Sequence, residues 1–278
     1  MKKNITIVVV LYNSFPKDYN HILDKYENVH MVIVDNTPGR DLCLSKNNLV
    51  YIPLKDNMGI AYALNVGCRY AIEKNDADWI LTLDQDSVVP MEMIQEYFRY
   101  IDANEGKKIG LLCPLIDVYY GEQKIKSDSI VEIDVAITSG SMINTLAYQE
   151  IGGFKDELFI DEVDTEFCLN LKSHGYHLFQ LNYVLMQHQV GNCKEYTFMG
   201  KHLFYVLHHN YIRHYYMQRN SMYVADMYSD IFPSIKKSKF QLILPFLKIL
   251  LFENDKIQKI VYRYKGYLDY KKGKFGKI

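Results

Sequence analysis

The chain has 278 residues and carries 32 Lys and Arg against 33 Asp and Glu, a formal charge of -1 that excludes a strongly basic nucleic-acid binder. Its apolar share of 49% with 23% charged residues excludes disorder, collagen and coiled coil. At this length one large α/β domain or two small ones can bury a substantial core.

Lys2 and Lys3 followed by the apolar run Ile5 to Tyr12 imitate a signal peptide, but Asn13, Ser14 and Pro16 follow without a small-residue cleavage site, so the run reads as a first buried strand. Met31 to Val34, Leu49 to Leu54, Trp79 to Leu83 and Ile109 to Leu115 read as further strands. Pro16 to Tyr26, Gly59 to Glu73 and Pro90 to Asp102 read as helices between them. Short β-branched runs alternating with amphipathic stretches predict a parallel sheet with crossover helices. From about residue 117 the pattern is less regular, with Thr138-Ser139-Gly140, Gly152-Gly153 and an acidic stretch over Asp161 to Glu166, and the chain from about residue 198 reads as helical. Five cysteines without a CxxC spacing suggest neither disulfides nor zinc and fit a reducing compartment.

The strands end in polar residues: Asn13 after the first, Asp35-Asn36 after the second, Asp84-Gln85-Asp86 after the fourth. In open α/β sheets the ligand crevice lies outside the carboxyl ends of the strands, so these tips are expected to converge. Asp84 and Asp86 point the same way if the backbone stays extended there. Two such carboxylates suit Mg²⁺ or Mn²⁺, which favour hard oxygen ligands completed by substrate phosphates. A solvated acidic turn is the plainer alternative.

Together, several segments resemble the inverting family 2 glycosyltransferases of the GT-A fold, in particular the rhamnosyltransferase-like branch of bacterial surface-polysaccharide synthesis. They are Val8 to Asn13, Val34-Asp35-Asn36, Asn57 to Asn65, Thr82 to Ser87, Ser139-Gly140-Ser141, Gly152-Gly153-Phe154 through Asp164 to Leu169, His188 to Gly191 and Tyr215 to Asn220. The likeness runs in family order over about residues 4 to 221. It implies a GT-A domain over residues 1–221, a Rossmann-like mostly parallel sheet flanked by helices, followed by a helical, basic extension over 222–278.

By that resemblance Asp35 would contact the nucleotide base of a dTDP- or UDP-sugar, with Tyr12, Asn13, Asn57, Gly59 and Asp84 also on the donor side. Asp86 and His188 would ligate the divalent cation. Asp164 would be the catalytic base, with Asp161 and Glu162 as neighbouring alternatives; an acidic first turn that complements a helix dipole is the structural alternative for all three. Ser139, Gly140, Asp161, Glu166, Arg213 and Arg219 would lie toward the acceptor or diphosphate. His202, His208, His209 and His214 form no metal motif and read as a helical face. The expected reaction is a single inverting displacement onto a saccharide acceptor, expected to be lipid-linked, with L-rhamnose the favoured sugar.

From residue 235 onward twelve basic residues stand against three acids, +9, so the preceding residues carry -10. Phe240 to Phe252 is apolar apart from Gln241 and Lys248 and too short to span a bilayer. Between basic flanks it is expected to bind an anionic membrane surface, which would place a cytoplasmic protein peripherally at the cytoplasmic face of the inner membrane. Packing back on the domain, or a homodimer contact, is the alternative. Two other functions compete. Asp84-Gln85-Asp86-Ser87-Val88 also fits the nucleophile motif of haloacid-dehalogenase phosphotransferases, although three strands precede it here. A non-catalytic sugar- or membrane-binding module would have no need of Asp164 as a base.

Overall fold

The computed structural model describes residues 3–17, 19–44, 47–118, 124–188, 193–198, 201–207, 209–235 and 239–278, with backbone alone at 20–21, 188, 193–198, 201–207, 234 and 239–245. The chain divides into two compact units, residues 1–159 with 163–189, and residues 160–162 with 190–278. Residue 221, the expected domain boundary, lies inside a helix of the second unit.

The first unit is built on an eight-stranded sheet. Its strands are β1 (Ile5–Leu11), β2 (Val29–Asp35), β3 (Leu49–Pro53), β4 (Trp79–Asp84), β5 (Ile109–Val118), β6 (Ile130–Glu132), β7 (Ser141–Asn144) and β8 (His177–His188), in the order β3-β2-β1-β4-β7-β5-β8-β6. β1 pairs in parallel with β2 and β4, and every one of its residues is buried. A strand covered on both faces needs a continuous apolar run rather than an alternating one, which Ile5 to Leu11 supplies. β7 runs antiparallel to both β4 and β5, and β6 antiparallel to β8, so the sheet is mixed.

Helices α1 (Asn20–Leu23), α2 (Ile60–Asn75), α3 (Met93–Ala103), α4 (Thr145–Ile151) and α5 (Val163–Ser173) belong to this unit. α3 buries Met93, Ile94, Tyr97, Tyr100 and Ile101, the spacing of one helical stripe. α4 is capped by Asn144, whose side chain accepts from the N–H groups of Leu146 and Ala147. The helix expected over Pro16 to Tyr26 is reduced to the single turn α1. So short a segment recovers too few hydrogen bonds to offset helix nucleation, and Tyr19, Ile22 and Leu23 reach the core without one.

The second unit holds a hairpin of β9 (Cys193–Phe198) and β10 (Lys201–Leu207), then helices α6 (Tyr211–Tyr228), α7 (Lys239–Phe252) and α8 (Lys256–Lys271). The expectation of helix from residue 198 fails at β10. Its Leu203-Phe204-Tyr205-Val206 run is aromatic and β-branched, the composition that suits a strand. The four histidines therefore do not share a helical face: His202 is on β10, His209 precedes α6, His214 is on α6, and His208 lies outside the described residues. Among the described residues no helix is long and apolar enough to cross a membrane.

Candidate functional site

Register fixes which residues share an edge of the sheet. Leu11 pairs with Asp35 and Val10 with Asp84, so Tyr12, Asp35 and Asp84 all emerge at the carboxyl ends of β1, β2 and β4. Chain order reverses direction between β1 and β4, the kind of switch point where such sheets open a crevice. Because β7 is antiparallel, Ser139 and Gly140 arrive at that same edge just before it, and the Gly140 N–H donates to the Thr82 carbonyl at 2.8 Å. Ser139 is fully buried and shares a hydroxyl contact with Ser87. A side chain at Gly140, whose φ is +80°, would come within 2.9 Å of the Met186 sulfur, so both its conformation and its space require glycine. The backbone of His188 pairs with Val118 at the corresponding end of β8, and its side chain lies outside the described residues.

At the β2 end, Asp35 is fully buried and its carboxylate accepts four hydrogen bonds. Oδ2 accepts from Arg40 Nε at 2.5 Å and from the Tyr51 hydroxyl at 2.7 Å; Oδ1 accepts from Arg40 Nη2 at 2.8 Å and from the Thr37 N–H at 3.0 Å. Burial alone would raise its pKa, but the bonds from Arg40, Tyr51 and Thr37 prevail and hold it below the usual carboxylate range. Each hydrogen bond to a charged partner contributes about 1.5–3 kcal/mol, so the Asp35–Arg40 fork is a firm local structure. The Arg40 guanidinium also stands 5.4 Å from the exposed ring of Phe15.

Next to it, the Asn36 amide donates to Asn57 Oδ1 at 3.1 Å and its carbonyl accepts from the Met58 N–H at 2.7 Å. Asn57 Oδ1 also accepts from the Gly59 N–H at 3.1 Å, so Asn57 and Gly59 shape one turn against the β2 tip. Tyr12 donates its N–H to Gln85 Oε1 at 2.8 Å, and Asn13, at φ 52°, donates its own to Thr37 Oγ1 at 2.8 Å.

Beyond Asp84 the chain does not stay extended. The Ser87 N–H donates to the Asp84 carbonyl at 3.1 Å, closing a turn, so the alternation expected to align Asp84 and Asp86 does not apply. The Lys17 ammonium donates to the Asp86 carbonyl at 2.5 Å. Tyr19, buried nearby, has its pKa pushed up to about 12 by burial and then by the charges of Asp86 and Asp84. Among the described residues no group of three or more His, Cys, Asp and Glu could hold a metal ion. What the described residues provide is two hard carboxylates whose negative field is felt by a neighbouring phenol, a donor set that fits Mg²⁺ or Mn²⁺ only with phosphate oxygens completing the shell.

The acidic stretch sits on unusual backbone. Phe159 has φ 67° and ψ -60°, and Asp161 and Glu162 have φ 64° and 62°, conformations that side chains rarely adopt. The Phe159 carbonyl accepts from the Ile60 N–H at 2.8 Å, and a Cβ on Gly59 would meet Phe159 at 2.6 Å, so only glycine lets this loop cap α2. Buried Asn65 secures the preceding turn. Its oxygen accepts from the Tyr148 hydroxyl (2.6 Å) and the Phe154 N–H (2.9 Å), and its nitrogen donates to the Phe154 carbonyl (2.7 Å) and Asp156 (2.6 Å). Asn65 thus fills its whole hydrogen-bonding capacity inside the protein and serves the loop. Asp164 and Glu166 follow in the first turn of α5; Asp164 is partly exposed and accepts from the Thr165 N–H at 2.9 Å, whereas Glu166 is buried.

Asp161 itself belongs with the second unit, where Arg213 grips it at 2.9–3.2 Å. Burial raises its pKa against the opposing pull of Arg213, His214 and Arg263. Arg219 is fully buried between the rings of Tyr215, Tyr216 and Phe275, donating to the Gly276 carbonyl at 2.7 Å, an internal role in place of the ligand-facing one expected. Sequence reasoning also missed Arg40, Tyr51, Gln85 and Lys17. The only available hints were an arginine five residues after Asp35 and a polar residue between the two aspartates.

A relative in Shigella flexneri, described as dTDP-rhamnosyl transferase RfbF, is 31% identical over 93% of this chain and 92% of its own. Residues 6–141 match the model of Glycosyl transferase family 2. The chain belongs to glycosyltransferase family 2. The glycosyltransferase is also 23% identical, over 66% of each chain, to the low-salt glycan biosynthesis hexosyltransferase Agl10 of Haloferax volcanii. In fold it is similar to S. aureus TarS (residues 1–349), with a TM-score of 0.58 at 13% identity over 96% of this chain and 80% of that one, and to the same protein in complex with UDP-GlcNAc, with a TM-score of 0.56 at 14% identity over 93% and 79%. GalNAc-T7, solved with UDP, GalNAc and Mn²⁺, gives a TM-score of 0.51 at 12% identity over 68% of this chain, which spans only 44% of that protein. The GT-A fold and the enzyme class expected from the motifs hold, and the phosphotransferase and non-catalytic readings are set aside.

Proposed function

We propose that this glycosyltransferase transfers L-rhamnose from dTDP-L-rhamnose, with inversion, to a saccharide acceptor carried on a lipid, in surface-polysaccharide synthesis. The observation that carries the reading is a continuous tie within the first unit. Asn36, beside Asp35, bonds to Asn57; Asn57 bonds to Gly59; and the next N–H, of Ile60, bonds to Phe159 at the head of the Asp164 loop. One end of that tie suits the base of a nucleotide and the other the attacking hydroxyl. The Shigella relative's name supports the sugar and the base.

In the transfer, Asp164 takes the proton of the acceptor hydroxyl as its oxygen bonds to the anomeric carbon. The bond from that carbon to the diphosphate breaks, and the nucleoside diphosphate leaves with the electron pair. A divalent cation held by Asp84 and Asp86, with His188 as the further ligand from the sequence, would supply electrostatic stabilisation of the leaving diphosphate. No carboxylic acid is needed on the leaving side, since a diphosphate departs as a stable anion. Asp164→Asn is expected to lower turnover about 10²–10⁴-fold while dTDP-rhamnose binding, read by calorimetry, is kept. Undiminished transfer by that variant would remove Asp164 from the role.

The membrane reading rests on α7 and α8. Leu251 and Ile257 are 67% and 80% exposed, with Leu250, Val261 and Tyr264 also open, amid the basic residues of this segment. Apolar side chains within basic surroundings match an anionic leaflet. The double variant Leu251→Asp with Ile257→Asp is expected to reduce cosedimentation with phosphatidylglycerol vesicles. Equal binding would refute the reading, and a fall in solution mass instead would assign the face to a dimer.

A further inference from the structure

We infer that β6 is an assembly edge whose occupant is β6 of a second copy of this chain, paired antiparallel about a two-fold axis at Ser129. β6 ends the strand order of the sheet, with β8 on one side and, among the described residues, no strand on the other. Its bonds to β8 run through odd-numbered residues: the Asn182 N–H donates to the Ser129 carbonyl at 3.1 Å and the Ile133 N–H to the Leu178 carbonyl at 3.0 Å. In an antiparallel ladder alternate residues turn their backbone groups to opposite sides, so Ile130 and Glu132 turn theirs away from β8. Residues 124–132 are all exposed, Ile125 at 84%, and Ile130, Val131, Val135 and Ile137 add further open β-branched side chains along this edge. An outward row of donors and acceptors beside such side chains is a template for another strand.

Charges usually blunt an edge against pairing. Here they are sorted by sign: Lys124 and Lys126 precede the strand, whereas Glu132 ends it and Asp134 follows. A two-fold axis brings the basic end of each copy to the acidic end of the other, on both sides at once. Centred on Ser129, it sets Lys124 against the partner's Asp134, Lys126 against the partner's Glu132 and Asp128 against the partner's Ile130. Centred on Asp128 it would oppose that carboxylate to its own counterpart, and centred on Ile130 it would oppose Asp128 to the partner's Glu132; like charges directly opposite are destabilising. The chain bends at Asp128, so pairing in this register extends β6 through Ser129 and Asp128. Within one copy Lys126 meets Glu92 at 3.3 Å and Glu132 meets His177 at 2.9 Å, about half exposed in each case. Exposed pairs of this kind hold their side chains weakly and are readily exchanged for others.

The test is sedimentation equilibrium of the full chain at about 100 µM, a concentration suited to a small interface. A mass near two chains of 32.7 kDa is expected, and a single chain's mass overturns the inference. Lys126→Glu and Glu132→Lys, each native by circular dichroism, are expected to sediment as monomers, because each sets like charges opposite on both sides of the axis. Mixed in equal amounts they are expected to regain the dimer, since both contacts of the mixed pair then join opposite charges. A dimer of either variant alone, or a mixture that stays monomeric, overturns the two-fold pairing. Ile130→Pro removes an outward N–H without taking a donor from the β8 ladder, so it too is expected to give a monomer, and a persisting dimer counts against β6. The double variant Leu251→Asp with Ile257→Asp is expected to keep the dimer; its loss there would move the contact to α7 and α8 and overturn the assignment.

Discussion

The two units are stabilised by different physics. In the first, the interior of the sheet is apolar: Ile7, Val9 and Leu11 of β1, Met31 and Ile33 of β2, Leu81 and Leu83 of β4 pack with Tyr97 and Ile101 of α3. Its stability comes from area removed from water, spread over many contacts. In the second, the buried positions include His214, Gln218, Arg219, Asn220, Glu253, Lys259 and Arg263. Glu253 accepts from Lys259 at 2.8 Å and His214 at 3.1 Å, and Arg263 donates to Gln218 at 3.2 Å. Truncating a side chain in an apolar interior costs its own contacts and the cavity it leaves, whereas removing one partner in a buried ionic interior leaves the other charge uncompensated.

The largest response is therefore expected at Glu253→Gln. It leaves Lys259 buried without its counter-charge and is expected to cost about 3–5 kcal/mol in the urea unfolding of the second unit. The same carboxylate gives a pH signature. Burial would raise its pKa, but His214 and Lys259 override that and hold it at about 2, below its ordinary value. Its stabilisation is thus complete above the ordinary carboxylate range and is lost as pH falls toward about 2. Acid titration of the wild type followed by hydrogen exchange should open α6 and α8 before the sheet, and the Gln variant should lose that ordering; simultaneous opening in the wild type would erase the contrast. A smaller effect, about 1–3 kcal/mol, is expected for Asn65→Ala, where the Tyr148 hydroxyl and the Phe154 N–H lose their acceptor inside the first unit. Thermal unfolding measures it, and a neutral result would mean that the loop before Asp164 holds without its tie.

The same contrast explains what could be read in advance. β1, β2, β4 and α3 were legible because buried area imposes a period on the sequence, and Asp35 and Asp84 were legible because they end apolar strands. α6 was legible only as part of a helical stretch from about residue 198; its buried face was not, since His214, Gln218 and Arg219 are buried beside Tyr215 and Tyr216, a stripe without an apolar period. At the candidate site, Asp164 follows only from the resemblance of its motif, with Asp161 and Glu162 beside it as alternatives, and the partners of Asp35 could not be named. Arg40 and Tyr51 meet it across a turn and a neighbouring strand, and nothing in local spacing announces such a meeting. The bent backbone after Asp84 was hidden for the same reason: whether a strand continues past its last apolar residue is settled by the Ser87 hydrogen bond.

The short segment Ile160 to Glu162 packs with the second unit although its neighbours in sequence on both sides belong to the first. The Asn220 amide donates to the carbonyls of Ile160 and Asp161, and Arg213 holds the Asp161 carboxylate. The C-terminal unit is therefore discontinuous along the chain, and a fragment cut at residue 190 would lack the residues its first helix binds. Exchange of that unit between relatives cannot be made with one junction. A graft of the C-terminal unit must carry these three residues too, and with them a piece of the loop that leads into α5.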